Sequence, residues 1–156
     1  MPETTDTDLS IMNEVLLLER LTEARKNEDD FHYTIEDIVR DLPSDDKSLG
    51  LVVVILQFIE NNPALDYGSP GALVFFVEKF YRRGYESRLL DSLSRHPVSQ
   101  TLTMLNRLIN GTKGIEDRDR LISVVENVIK HPSADTPTRH LAQHYIKRYN
   151  GKEIEI

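Results

Sequence analysis

The chain of 156 residues contains no cysteine. Disulfides, thiolate zinc sites and thiol nucleophiles are therefore excluded, and the fold must rest on packing, which a chain of this length can supply. Long apolar runs are missing as well. Even a run such as Leu51 to Leu56 falls far short of the roughly 20 residues that span a bilayer. Residues 1–10 (MPETTDTDLS) carry acids and no basic stretch, unlike a secretory signal. These absences lead to the expectation of a cytoplasmic protein with no membrane partner.

Sequence signatures of catalysis are equally scarce. No serine sits in a Gly-x-Ser-x-Gly elbow. Gly68-Ser69-Pro70-Gly71 lacks the lysine of a phosphate loop and reads as a turn before a helix. His140 and His144 are four apart on a predicted helix, but Leu141 stands where a zinc hydrolase needs its glutamate, so they read as polar residues of a solvated face. His96 and His131 each precede a proline at a helix end, where capping explains them. The acids Glu28, Asp29 and Asp30, and Asp41, Asp45 and Asp46, fall in polar loops with nothing apolar beside them in sequence to raise a pKa. The expectation is a non-enzyme with no cofactor and no metal.

What the chain does have is acid, unevenly placed. Residues 1–50 hold 14 acidic and 5 basic side chains, a balance of −9, whereas residues 51–156 hold 12 and 14. Such a field repels nucleic acid and favours basic partners, although solubility alone also explains it. Against it stands a short basic and aromatic cluster, Lys79, Tyr81, Arg82, Arg83, Tyr85 and Arg88, read as helix-end charges and interfacial tyrosines rather than a nucleic-acid surface.

Apolar periodicity and punctuation predict helices throughout. Ile11, Val15 and Leu18 together with Leu17, Leu21 and Ala24 form a broad stripe over residues 8–26. Thr34 is placed to cap a short helix ending before Pro43, and Ser44 a third whose body, Leu49 to Ile59, contains the β-branched run Val52 to Val54. Ser69-Pro70 reads as a cap and first helical residue opening a helix to about Arg83. Further helices are expected at 85–95, 98–110, 116–131 and 136–149, the last closing before Gly151.

Three helix-ending prolines, Pro63, Pro97 and Pro132, lie 34 and 35 residues apart. At 8, 7 and 4 residues before each stand Ile55, Leu56 and Ile59, then Leu89, Leu90 and Leu93, then Val124, Val125 and Val128. Beyond Pro63 and Pro132 the match continues with Phe76, Val77 and Phe80 against Tyr145, Ile146 and Tyr149; after Pro97 the inner face shifts to Leu105, Leu108 and Ile109. Any amphipathic helix stopped by proline gives part of this pattern. A repeated hairpin gives more of it, with an irregular stack where the segment after Pro97 breaks the second half, because a hairpin with one apolar face is stable only when stacked on the next. The expected fold is all-α, with about eight helices in stacked antiparallel hairpins forming a HEAT-like α-solenoid or α-α superhelix. It would be one domain over 1–156, with N-terminal helices at 8–42, stacked hairpins at 44–149 and a tail at 150–156.

From Asp66 to Asn110 the chain reads DYGSPGALVFFVEKFYRRGYESRLLDSLSRHPVSQTLTMLNRLIN. The segment resembles small helical-repeat immunity proteins of bacterial polymorphic toxin and contact-dependent inhibition systems. The likeness rests on Asp66 to Gly71 before an apolar helix, Tyr85 at the next helix start, Pro97, and Met104 to Arg107 leading to Asn110. It covers under a third of the chain directly, or residues 49–149 with the stacked helices included. The resemblance implies a protein that binds a cognate toxin domain and blocks its active site or substrate access, with no catalytic residues of its own. Acidic loops suit a basic nuclease toxin. The expected partner contacts are Asp41, Asp45, Asp46, Asp66 and Glu86 as charge partners and Tyr67 and Tyr85 as buried anchors. The alternative is a helical-repeat adaptor for another cellular protein.

Overall fold

A computed structural model describes the backbone of residues 5–154 and, within that span, the side chains outside 6–8, 12 and 152–154. Among the described residues there are eight α-helices, two short 3-10 turns and no strand. The helices are α1 (Asp6–Ala24), α2 (Phe31–Arg40), α3 (Leu49–Asn61), α4 (Ala72–Glu78), α5 (Tyr85–Arg95), α6 (Ser99–Gly111), α7 (Ile115–Lys130) and α8 (Thr136–Ile154). The fold is all-α. Contacts divide the chain into two compact units, Met1–Arg88 and Leu89–Ile156, with the boundary inside α5.

In the first unit α1 and α3 run side by side in the same direction. Ser10 donates to the Lys47 carbonyl at one end (3.1 Å) and Arg25 to the Asn62 side-chain oxygen at the other (3.0 Å), both pairs 37 residues apart. Helices α2 and α4 return beneath them and touch one another, so this unit is two stacked hairpins. Its core is filled by Leu17 and Leu21 of α1, Phe31 and Ile35 of α2, Ile55 and Ile59 of α3, and Leu73 and Val77 of α4. The run Val52 to Val54 is helical, as the length of the segment required, because α3 is buried on most of its circumference.

The second unit repeats the arrangement. The ends of α5 and α7 meet where His131 contacts the Ser94 carbonyl, again 37 residues apart. Helices α6 and α8 run parallel, pinned by Ser99 to Thr138 (3.0 Å), Thr103 to Tyr145 (3.5 Å) and Asn106 to Tyr149 (2.6 Å). Of the nine aliphatic residues fixed by the proline period, only Leu90 and Val124 are less than fully buried. The shifted register after Pro97 also holds: Leu105, Leu108 and Ile109 are all in the core.

Several helix starts differ from the sequence expectation, each for a local reason. Thr34 lies inside α2, donating to the Asp30 carbonyl one turn back, because burial of Phe31 draws the helix start forward. Ser44 caps nothing; a 3-10 turn at Asp46–Ser48 precedes α3, and the Ser44 carbonyl is bound by Arg83. Ser69-Pro70 does not open α4. Gly71 does, with φ of 96°, a value that side-chain-bearing residues rarely adopt, and a Cβ there would overlap the Tyr67 carbonyl oxygen. The same helix ends at Glu78 rather than near Arg83, and Arg82 in the following turn has φ of 61°. Helix α8 runs through Gly151 instead of stopping before it.

Candidate functional site

The acidic residues expected at the partner surface do not form one patch. Asp41, Asp45 and Asp46 lie on the connection from α2 to α3, all exposed. Arg83 fastens that connection: its guanidinium donates to the Ser44 carbonyl (2.8 Å) and pairs with Asp46 (2.9 Å), while its face lies over the Phe80 ring. Asp45 accepts from the Ser48 hydroxyl at 2.5 Å, tying the other end of the loop to the start of α3. Asp41 has no side-chain partner among the described residues. Glu86 belongs to the same end of the unit, where its carboxylate accepts the Arg82 N–H (2.7 Å) and holds the left-handed turn.

Asp66 lies elsewhere. It follows the C-terminal end of α3, whereas Asp46 precedes the N-terminal end, and the 13 residues between put about 20 Å between the two loops. Its carboxylate accepts the Gly68 N–H at 2.9 Å, a local turn.

Tyr67 and Tyr85, expected as partner anchors, are 2% and 0% exposed, so neither is available to a partner at the surface. Tyr67 packs edge-on against Phe31 and Phe58 and donates its hydroxyl to the Asn62 carbonyl at 2.7 Å. Burial pushes its phenol well above the ordinary tyrosine range. Among the described residues of this unit, the aromatic side chains that reach solvent are Tyr33, Phe75 and Tyr81. Compared with family models, curated proteins and solved structures, the chain finds no match.

The acidic loop is not the only feature of the surface. Helix α1 turns Leu17, Leu21 and Ala24 inward but leaves Ile11, Val15 and Leu18 about half exposed, with Leu9 and Leu16 on its opposite shoulder. The apolar stripe is broader than the side that the structure covers, which faces α2 and α3. The sequence signal was present, since apolar residues spread around most of a helix exceed what one packing face requires.

In the second unit His96 and His131 are structural. The Ser94 carbonyl, in the last turn of α5, can only accept, so the His131 Nε2 at 2.7 Å carries the proton and Nδ1 accepts the Ser133 N–H at 3.1 Å. The Ser133 hydroxyl lies between His131 Nδ1 (3.0 Å) and His96 Nδ1 (3.2 Å). No such Ser–His proximity was expected from sequence; it arises because the prolines bring two equivalent helix ends together. Its effect is to satisfy a helix-end carbonyl, the capping role predicted for His131 but performed on the neighbouring helix. Alongside, α5 and α7 border an open groove of about 360 Å³ with Leu90, Leu93, Val124 and Val128 below and Asp91 and Asn127 at its rim. His140 and His144 are both exposed on α8, and no group of three metal-ligating side chains occurs among the described residues. No described helix is long and apolar enough to cross a membrane.

Proposed function

We propose that this protein is a stoichiometric inhibitor, an immunity protein that binds a cognate bacterial toxin domain in the cytoplasm of the producing cell and covers its active site or substrate path. The observation that carries the reading is the fastened acidic loop. Arg83 holds the Ser44 carbonyl and the Asp46 carboxylate, Ser48 holds the Asp45 carboxylate, and Asp41 stands exposed at the end of α2, so most of the loop's charge is set in place before a partner arrives. Preorganised surface charge raises the association rate with an oppositely charged partner and fixes its orientation, without ordering entropy to be recovered on binding. A toxin with a basic surface, such as a nuclease, fits this sign. The stacked hairpins supply a rigid support for the loop, and the resemblance of residues 66–110 points to the same class of protein.

The test is co-expression with the product of the adjacent upstream gene. A complex that co-purifies, and survival of cells that the gene product otherwise kills, are the expected results. No complex together with no rescue would end the proposal.

A further inference from the structure

The exposed aliphatic stripe on α1 has no role in the packing described above. Ile11, Val15 and Leu18 are 52%, 53% and 48% exposed and recur at i, i+4 and i+7, so they stand in line on one face. That line borders α3. A Cβ at Gly50 would run into the Glu14 carboxylate, and the two helices keep a 37-residue offset at both ends. At that offset Leu18 is level with Ile55, which is buried, and the preceding Val54 is half buried. The line therefore flanks the furrow between two parallel neighbours, where the Glu14 carboxylate stands over Gly50. Contiguous aliphatic surface left open to water marks an interaction site more often than scattered exposed residues do.

We infer that this furrow seats a basic amphipathic helix of the partner protein. Spacing and charge select that occupant. Anchors at i, i+4 and i+7 are the pattern with which one helix lies in the groove of another. Glu19 is exposed beside the stripe, Glu14 lies at the furrow, and the first 50 residues carry a balance of −9. A second copy of this chain would bring that charge against itself, and an anionic lipid surface would be repelled. A helix with leucine-like anchors flanked by lysine or arginine meets both requirements. The furrow also opens beside the acidic loop, since Ser10 of α1 is bonded to the Lys47 carbonyl. The inference extends the toxin-binding reading by giving the partner a second contact, yet it stands on α1 and α3 alone.

The probe is a fluorescein-labelled synthetic helix of about 18 residues with leucine on one face and lysine on the other, beside a counterpart with glutamate for lysine. Anisotropy is expected to show the lysine helix binding the wild-type chain, with about tenfold weaker binding to V15D/L18D and to E19K, and about tenfold weaker binding of the glutamate helix. Circular dichroism and melting confirm that the variants are folded, as half-exposed sites permit. Equal binding by the variants, equal binding of both helices, or binding of neither overturns the inference. So does a wild-type dimer in sedimentation that V15D/L18D dissolves, or binding of the wild-type chain to anionic vesicles. The upstream-gene product separates the two proposals. If it binds V15D/L18D as tightly as wild type, the furrow is wrong and the inhibitor reading stands; if it binds neither while the lysine helix binds normally, the reverse holds.

Discussion

Replacing Asp135 by alanine is expected to lower stability by a predictable amount and with a predictable pH dependence. Asp135 immediately precedes α8 and accepts the Thr138 backbone N–H at 2.9 Å, the bond of an N-terminal cap. The Thr138 hydroxyl, that N–H and the field of His96 together hold its carboxyl below the usual aspartate range. Loss of such a cap costs about 1 kcal/mol, within a range of roughly 0.5–2. The buried Thr138 hydroxyl keeps Ser99 as a partner at 3.0 Å, so no large penalty for an orphaned polar group is added. For a chain of this size each kcal/mol moves the melting temperature by about 2–4 °C, so D135A should melt about 2–4 °C below wild type at pH 7. Because the folded-state pKa is depressed, the stabilisation is complete above the unfolded pKa and lost as pH falls through the folded one. The gap between wild type and D135A should therefore narrow as pH falls below the ordinary aspartate range, and D135N, an equally good cap that does not titrate, should melt near wild type at pH 7. Thermal melts followed by circular dichroism across pH decide it. Coincident melts at pH 7, or a gap unchanged in acid, would refute the assignment of this carboxylate as the cap.

Three further changes probe the fold and the site. G71A places a Cβ on the Tyr67 carbonyl at a φ of 96° and should lose at least about 2 kcal/mol in urea unfolding; a neutral result would mean the loop has another conformation. Y67F keeps the packing on Phe31 and Phe58 but removes the 2.7 Å bond to Asn62, for a loss of about 1 kcal/mol, read in the same assay. R83A should change global stability by less than about 1 kcal/mol, since its pair with Asp46 is solvated. Amide exchange in residues 44–48 should nevertheless quicken, and unchanged exchange would mean that Arg83 does not hold the loop.

Residues whose environment is set by their own helix were legible in the sequence. The proline period located three helix ends and seven fully buried aliphatic positions, and Tyr85–Arg95 matched the predicted span. Helix starts were harder, because a cap residue competes with the burial of its neighbours. Phe31 overrode Thr34, and the turn at Gly71 overrode Ser69-Pro70. The candidate site was read least well. Aromatic character does not distinguish a core ring from a surface anchor, so Tyr67 and Tyr85 were placed outside when packing put them inside. The link from Arg83 to Ser44 and Asp46 spans 37 to 39 residues, and only the stacking of two hairpins reveals it. In α1 the aliphatic residues were legible, but not which of them the neighbouring helices would leave uncovered.

Calorimetric titration of the purified chain with the product of the adjacent upstream gene tests the central claim most directly. A one-to-one complex is expected, weakened by added salt and formed more slowly by the D41N/D45N variant. Absence of binding, or a complex indifferent both to salt and to loss of those charges, would contradict an inhibitor that recognises its target through the fastened acidic loop.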